Sequence, residues 1–275
     1  MVQPHLKGLV TALFIFALSF SLPSWARPET MFEGYFKIVS GKEKIGYFIQ
    51  KYEFDAKTKQ FISTYFIQTN DLGGNTSESL KAFADDKFQP ISYQYTLKTP
   101  KMTKTIDSKF KGMIMNSVIV ENGKSSQSIS RKLPKGSFLS TFLGYLILQK
   151  GYSKGKKFNY SGVAEEEAES YDGMALIKEE QMFVGKKVFR IENTFKGIKF
   201  ISFVTDKGEV LGTQSPLQKI ATELVANANE ATRDFTLPTE TLKLLFGNIP
   251  LGKQNIMAQS VDSKTKPELE AEKEK

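Results

Sequence analysis

Phe32-Glu33-Gly34-Tyr35-Phe36-Lys37-Ile38, then Ser40-Gly41-Lys42-Glu43, then Ile45-Gly46-Tyr47-Phe48-Ile49-Gln50-Lys51-Tyr52-Glu53-Phe54 reads as strand, turn, strand. Large apolar residues alternate with polar ones, and a glycine-containing polar cluster separates the two runs, which is the signature of a β-hairpin. The pattern continues outward. Runs at 61–68, 78–84, 91–98, 103–110, 113–121 and 126–133 keep the alternation. Polar turns interrupt them, among them Asn70-Asp71-Leu72-Gly73-Gly74 and Asn122-Gly123, the latter a strong signal for a two-residue hairpin loop. Short strands at this spacing predict antiparallel meanders.

The alternation breaks at Phe138 to Gln149, FLSTFLGYLILQ, which predicts a helix capped by Ser137 with Gly151 just past its end. Its nearly continuous apolar surface predicts deep burial. Strand patterns resume at 157–163, 174–184, 187–194, 198–205 and 209–213. Residues 215–233 support two readings. Ser215-Pro216-Leu217-Gln218 opens a helical stripe, whereas Gln218, Ile220, Thr222 and Leu224 alternate as a strand, and we favour strand over 219–225. Thr239 to Phe246 predicts a short helix capped by Thr239 and ended by Gly247. The expected fold class is mainly β: a curved antiparallel sheet, a half-barrel or clamp, around one apolar helix, with a short C-terminal helix.

Residues 1–26 read as a secretory signal. Lys7 supplies the positive start, Leu9 to Leu22 the apolar stretch, and Ser24-Trp25-Ala26 the small residues before a cleavage site. The apolar stretch is shorter than the ~20 residues a spanning helix needs. The predicted organisation is signal peptide 1–26, a single sheet domain 27–258, and a charged disordered tail 259–275. Within the domain, Phe83 to Leu97 lies on Phe203 to Leu217 without a gap. Phe83/Phe203, Asp86/Asp206, Lys87/Lys207, Gln94/Gln214 and Leu97/Leu217 coincide. This echo suggests an internal duplication of about 31–133 and 157–235, with helix 138–149 between them.

Composition excludes much chemistry. The 275 residues contain no cysteine, and the single histidine and single tryptophan are His5 and Trp25, both inside the expected signal. The mature chain then has no thiol nucleophile, no Ser-His-Asp triad, no disulfide, no histidine-ligated metal and no structural zinc site. Cofactors and metals are expected to be none. Export without cysteine points to a Gram-negative periplasm, or to secretion from such a cell. The net charge is +8, and +7 once residues 1–26 are removed. Lysine dominates and is dispersed, unlike the clustered arginine and aromatics of nucleic-acid readers, so no nucleic-acid partner is expected.

Histidine-free catalysis survives in principle. Glu165, Glu166, Glu167, Glu169 and Asp172 are the densest acidic group, but sequence neighbours seldom face one another as a carboxylate pair must, and a solvated acidic loop is expected. Lys124 with Ser125 and Ser126, and Lys135 with Ser137, are the nearest Ser/Lys pairings, all in turn-like sequence. No catalytic residues are therefore assigned. Aromatics crowd the first strands, and most should be core. The candidate ligand-groove residues are Tyr47, Phe66, Tyr95, Phe142 and Leu146.

The opening run Tyr35-Phe36-Lys37-Ile38, Gly41, Lys44-Ile45-Gly46-Tyr47 resembles a family of bacterial envelope proteins of unknown function. It is similar also to the sheet domain preceding some secreted bacterial transglutaminase-like domains. Lys87-Phe88-Gln89-Pro90-Ile91-Ser92-Tyr93, Leu133-Pro134 with Ser140, and Asp206-Lys207-Gly208-Glu209-Val210 carry the rest of the resemblance, across roughly residues 33–225. It implies a curved sheet around a helix, broadly similar to lipoprotein-carrier folds, and supplies no catalytic residues. Transglutaminase chemistry itself is excluded by the missing cysteine and histidine. Two functions follow as expectations. One is a non-catalytic exported envelope protein that binds an apolar ligand (a lipid or acyl chain) or an extended partner segment in a curved-sheet groove. The other is an envelope structural or adhesion protein that binds cell-wall polymer or another envelope protein.

Overall fold

The computed structural model describes residues 27–250. The expected signal peptide and the expected charged tail lie outside the described residues. The chain is mainly β. Its strands are β1 (Glu29–Ser40), β2 (Glu43–Asp55), β3 (Gln60–Thr69), β4 (Ser77–Asp85), β5 (Pro90–Lys98), β6 (Thr103–Lys111), β7 (Ile114–Glu121) and β8 (Ser125–Lys132). After a crossing segment come β9 (Phe138–Leu139), β10 (Lys157–Ala164), β11 (Glu169–Phe183), β12 (Lys186–Phe195), β13 (Ile198–Val204), β14 (Val210–Ser215) and β15 (Ile220–Leu224). All belong to one 15-stranded sheet in the order β8-β7-β6-β5-β4-β3-β2-β1-β15-β14-β13-β12-β11-β10-β9. Every neighbouring pair is antiparallel except β9–β10, where Phe138 and Leu139 pair in parallel with Gly162 and Val163.

The first strand therefore sits near the middle of the sheet. One meander runs outward from it to β8, and the other returns inward from β10 to β15. They join where β15 pairs with β1, from Phe36 opposite Leu224 to Ser40 opposite Ile220. The sheet curls until its far end meets the first meander. The Lys104 Nζ on β6 donates to the Glu166 carbonyl at 3.0 Å. Arg131 on β8 pairs with Glu169 at 3.0 Å.

The concave face closes over the crossing segment. Phe142 is fully buried, its ring 6.2 Å from Tyr52 and 5.9 Å from Phe88. The Tyr145 ring stands edge-on to Tyr52 at 4.9 Å, and the Tyr52 hydroxyl donates to the Thr141 carbonyl at 2.7 Å. The helix here is shorter than expected. Phe138–Leu139 is strand, Ser140–Phe142 is a single 3₁₀ turn, and α1 spans only Leu143–Lys150. The backbone of Phe138 and Leu139 is claimed by the exposed edge of β10, which needs hydrogen-bond partners. Ser137 does not cap the helix. Its hydroxyl donates instead to the Pro134 carbonyl at 2.8 Å.

The ambiguous stretch after β14 resolves as β15 followed by a short helix, α2 (Ala228–Thr232). The expected C-terminal helix is present as α3 (Thr239–Phe246), ended by Gly247 in the left-handed conformation. Its N-cap is Pro238, with no side-chain cap, so Thr239 opens the helix rather than capping it. Both helices lie on the convex side. There Tyr35, Tyr47, Ile49 and Phe66 pack beneath Ala228, Ala231, Leu242 and Phe246. Around β1 to β3 both faces of the sheet are thus buried.

The echoed segments fold alike. Phe83 pairs with Ser92 and Ala84 with Pro90 across one bulge. At the corresponding positions Phe203 pairs with Gly212 and Val204 with Val210 across another. In each turn one side-chain oxygen collects two backbone N–H groups: Asp85 from Lys87 and Gln89, Thr205 from Lys207 and Glu209. Phe88 and Gly208 occupy the same place with positive φ, 60° and 81°. Both turns grip the crossing segment. Phe88 does so with its ring on Phe142, and Gly208 by letting the helix backbone settle on it, since a Cβ on Gly144 would lie 2.5 Å from the Gly208 carbonyl oxygen.

Candidate functional site

Two adjoining cavities open on the concave face, on either side of the Ser140–Thr141 turn. The smaller, about 190 Å³, is walled by Phe138, Leu143 and Ile147 of the crossing segment and by Tyr160, Ile191, Asn193, Phe195, Phe200 and Ser202 of the sheet. The larger, about 320 Å³, lies against Phe36, Ile38, Phe48, Gln50, Tyr65 and Ile67 on one side and Thr222 on the other, with Glu165 and Glu166 in its wall. Ser140, Thr141, Val210 and Thr213 line both. Among the described residues no lysine or arginine lines either wall.

The walls follow from strand parity. Even positions of β2 (Phe48, Gln50, Tyr52) and odd positions of β3 (Ser63, Tyr65) point inward, because antiparallel partners opposite one another share a face. A run of polar groups crosses the interior. The Gln50 amide donates to the Ser63 hydroxyl at 3.1 Å, and Ser63 and Thr141 share a hydrogen bond of 2.6 Å. Ser140 donates to one oxygen of Glu165 at 2.6 Å, and the Thr141 N–H donates to the other at 3.2 Å.

Glu165 is 4% exposed, which corrects the expectation of a solvated loop. The loop from β10 to β11 folds inward at its first residue because Ser140 and Thr141 present donors there, while Glu166 and Glu167 turn out to Lys196 at 2.5 and 2.6 Å. Burial pushes the Glu165 carboxyl up to about 7. A second inward carboxyl, Glu78 on β4, accepts from the Tyr65 hydroxyl at 2.5 Å, and burial raises it as well. Burial also raises the Tyr52 hydroxyl, to about 12, so it stays protonated as a donor to Thr141. Sequence reasoning missed Glu78, which reads as an ordinary polar position of an alternating strand.

The five groove candidates are not brought together. Tyr47 and Phe66 lie on the convex face, under α2 and α3, where the Tyr47 ring meets Phe235 at 5.0 Å. They alternate as a half-buried strand should, but covering helices make the outward face apolar too, so aromaticity does not identify the concave side. Tyr95 is on the inner face but packed in the main core, as is Phe142, and Leu146 packs against that core from the helix. None of the five lines either cavity. Leu143, Gly144 and Ile147 do instead, being the α1 face turned towards β12 to β14.

Catalytic geometry is not evident at the acidic loop. Both Glu165 oxygens are committed to Ser140 and Thr141, and Glu166 is committed to Lys196. Ser137, one of the considered serine nucleophiles, donates to a backbone carbonyl rather than approaching an amine. Among the described residues no group of three or more Asp, Glu, His or Cys could hold a metal ion, and no helix among them is long and apolar enough to cross a membrane.

No protein-family model matches the chain, and no curated protein matches it. Among solved structures the chain is similar to the crystal structure of a beta-barrel-like protein of the domain of unknown function DUF1849 from Brucella abortus. Identity is 9% and the TM-score 0.52, over 71% of this chain and 96% of that chain. The likeness is one of fold, a β-barrel-like curved sheet.

Proposed function

We propose that this chain is a non-catalytic, exported envelope protein that holds an apolar ligand inside its curled sheet. The observation that carries the reading is the pair of adjoining cavities, about 190 and 320 Å³, walled by aromatic and aliphatic side chains with a few convergent polar groups. Ligand sites have this character, the larger cavity alone reaches the lower end of their usual size, and the mouths of β-barrels are a common place for them. The engaged carboxyls support binding over catalysis. Residues 1–26, with their signal-like order of charge, apolar stretch and small residues, support a periplasmic location. The resemblance to envelope proteins points the same way.

The test is native mass spectrometry of the chain produced with its own leader and purified from a bacterial periplasm, followed by organic extraction. A co-purifying lipid or acyl mass, together with a start at residue 27, is the expected result. Apo protein that also fails to take up a neutral hydrophobic fluorophore would sink the reading.

A second reading rests on the sheet's terminal strand. Among the described residues β8 pairs only with β7, so one of its backbone edges is not occupied by another described strand. Such an edge can accept an extended segment of a partner protein by strand addition. Retention on purified cell wall or on envelope proteins, abolished by Ser128→Pro on the outward-facing register of β8, would favour this structural role.

A further inference from the structure

The two rims of the curled sheet differ. At one, the turns after β4 and β13 hold the crossing segment through Phe88 and Gly208. At the other, the turns after β5, β3, β1, β14 and β12 form one arc. They are neighbours because the strand order runs β6-β5-β4-β3-β2-β1-β15-β14-β13-β12. Two hydrogen bonds tie adjacent members, Gly41 N–H to the Lys219 carbonyl at 3.0 Å and Asn70 N–H to the Ile45 carbonyl at 2.9 Å. The cavities lie towards this arc. Phe200 of β13 lines the smaller and Thr222 of β15 the larger. Two residues nearer the rim on the same strands, and so on the same concave face, stand Ile198 and Ile220, 40% and 38% exposed. On the turns themselves Leu217 is 84% exposed and Leu72 71%. A lone exposed leucine is ordinary, but four large aliphatic side chains on one arc beside a cavity mouth call for a partner.

The arc is also basic. Lys42, Lys98, Lys101, Lys199 and Lys219 are exposed on it, against Glu43 and Asp71. Lys196 is offset by Glu166 and Glu167. Apolar and basic side chains alternate from turn to turn: Leu72, then Lys42, then Leu217 with Lys219, then Ile198 with Lys199. The apolar groups stand on separate turns, so they make no flat face for a rigid protein to cover. A fluid layer can close around separate tips, and the neighbouring lysines suit a layer whose outer groups are phosphates. We infer that this rim docks on an anionic lipid surface, with Leu72 and Leu217 entering between the headgroups and the lysines meeting their phosphates. Docked in this way, the molecule turns the mouth of its cavities to the layer. The inference adds a partner to the ligand reading and does not depend on it, since the rim can dock whether or not the cavities are filled.

The experiment mixes the chain, exported and purified as above, with vesicles of equal parts phosphatidylglycerol and phosphatidylcholine, or of phosphatidylcholine alone, and measures the bound fraction by flotation. Binding is expected on the first and at least about tenfold weaker on the second. Leu72→Ser with Leu217→Ser should weaken it at least about tenfold, because both lose the apolar burial that docking gives them. Lys42→Gln, Lys199→Gln and Lys219→Gln together should do the same. Lys59→Gln, Lys87→Gln and Lys186→Gln make the same change of charge on the opposite rim. They should weaken binding less than about threefold, because a ten-residue strand holds them ~33 Å away, beyond the reach of a screened charge. All the replaced side chains are exposed, so the fold is not at stake. Leu217→Trp reads the contact directly. The only natural tryptophan is Trp25, in the expected signal, so the new emission stands alone and should shift to the blue on anionic vesicles. Absence of binding to anionic vesicles overturns the inference. So does equal loss from the two lysine sets, which would be the work of net charge, and so does binding that survives the leucine changes. A dimer that forms in place of vesicle binding, and that the leucine changes dissociate, would make the arc a contact between two copies and overturn it too. Fluorophore uptake without vesicle binding sinks the docking and leaves the ligand reading, and vesicle binding without uptake does the reverse.

Discussion

Glu165 places a carboxyl almost wholly out of solvent, held by one hydroxyl and one backbone N–H. Its two hydrogen bonds favour the ionised form, but burial outweighs them and the carboxyl rises from 4.5 to about 7. The linkage has a definite sign. A folded-state pKa above the unfolded one means the native chain binds the proton more tightly. The associated stability is fully present below pH 4.5 and is lost as pH rises through 7. A displacement of that size corresponds to about 3 kcal/mol over the window. Glu165→Gln keeps an oxygen for one donor and removes the charge. Relative to wild type, it should gain about 3 kcal/mol of stability between pH 4.5 and pH 8. Urea midpoints of both proteins at the two pH values measure this, and a wild-type-minus-variant difference that does not change with pH would refute it. The residue was visible in the sequence only as one of four glutamates in five positions. Nothing local separates Glu165 from Glu166. What does is the pair of donors from Ser140 and Thr141, 24 to 25 positions away in the chain.

At the scale of elements, turns and strands were the legible part, because alternation and turn residues act locally. Asn122 and Gly123 have φ of 51° and 65°, the two positive values their sequence favours, but the loop is three residues long, because Glu121 pairs with Ser125 and Lys124 is left between them. Long-range partners decided the rest. The start of the apolar run was lost to β9 because β10 needed an edge partner. β11 begins at Glu169 rather than 174, since pairing with β10 recruits Glu169 to Gly173 although they do not alternate. The helix α2 did have a signal that went unread. Asn227 accepts from the Glu230 N–H at 3.0 Å, an N-cap with an acidic residue three positions on.

Two substitutions test these elements. Val184 occupies the first loop position of the β11–β12 hairpin with φ 43°, a conformation β-branched residues avoid. Being 44% exposed, it contributes little burial. Val184→Asn should raise stability by about 1 kcal/mol in a urea titration, and a loss would mean that the side chain is held by contacts worth more than the strain. Gly144 is the converse case. Its added methyl would press on backbone, the Gly208 carbonyl, which cannot swing aside as a side chain can. Gly144→Ala should cost about 2 kcal/mol or more despite the better helix propensity of alanine, and a neutral result would show that α1 can slide off the β13–β14 turn.

At the scale of the molecule, the question is whether two echoed meanders make two folding units or one. Besides the Lys104–Glu166 and Arg131–Glu169 contacts at the sheet's far end, three ties bind them. β1 and β15 share five residue pairs, extended at each end by hydrogen bonds, Gly41 N–H to the Lys219 carbonyl and Val225 N–H to the Tyr35 carbonyl. Lys37 and Glu223 face each other across the seam at 2.8 Å. On the concave side the crossing segment packs against both turns of the echo, and on the convex side α2 and α3, which follow the second meander, cover strands of the first. Removing either meander would leave the crossing segment with half its core and expose a central strand edge. Unfolding in urea should therefore be one transition, with circular dichroism and tyrosine emission coincident. The seam gives the decisive variant. Thr222 pairs with Ile38 on one side and Thr213 on the other, in the interior of the sheet. Proline there deletes a ladder hydrogen bond and should cost about 1–3 kcal/mol for the partner left unmet. If the molecule is one unit, Thr222→Pro shifts the whole transition to lower urea without splitting it. If the curve splits, with one phase at the wild-type midpoint, the meanders are separate units that meet only at a five-pair edge. The cavities between them would then open whenever that edge does.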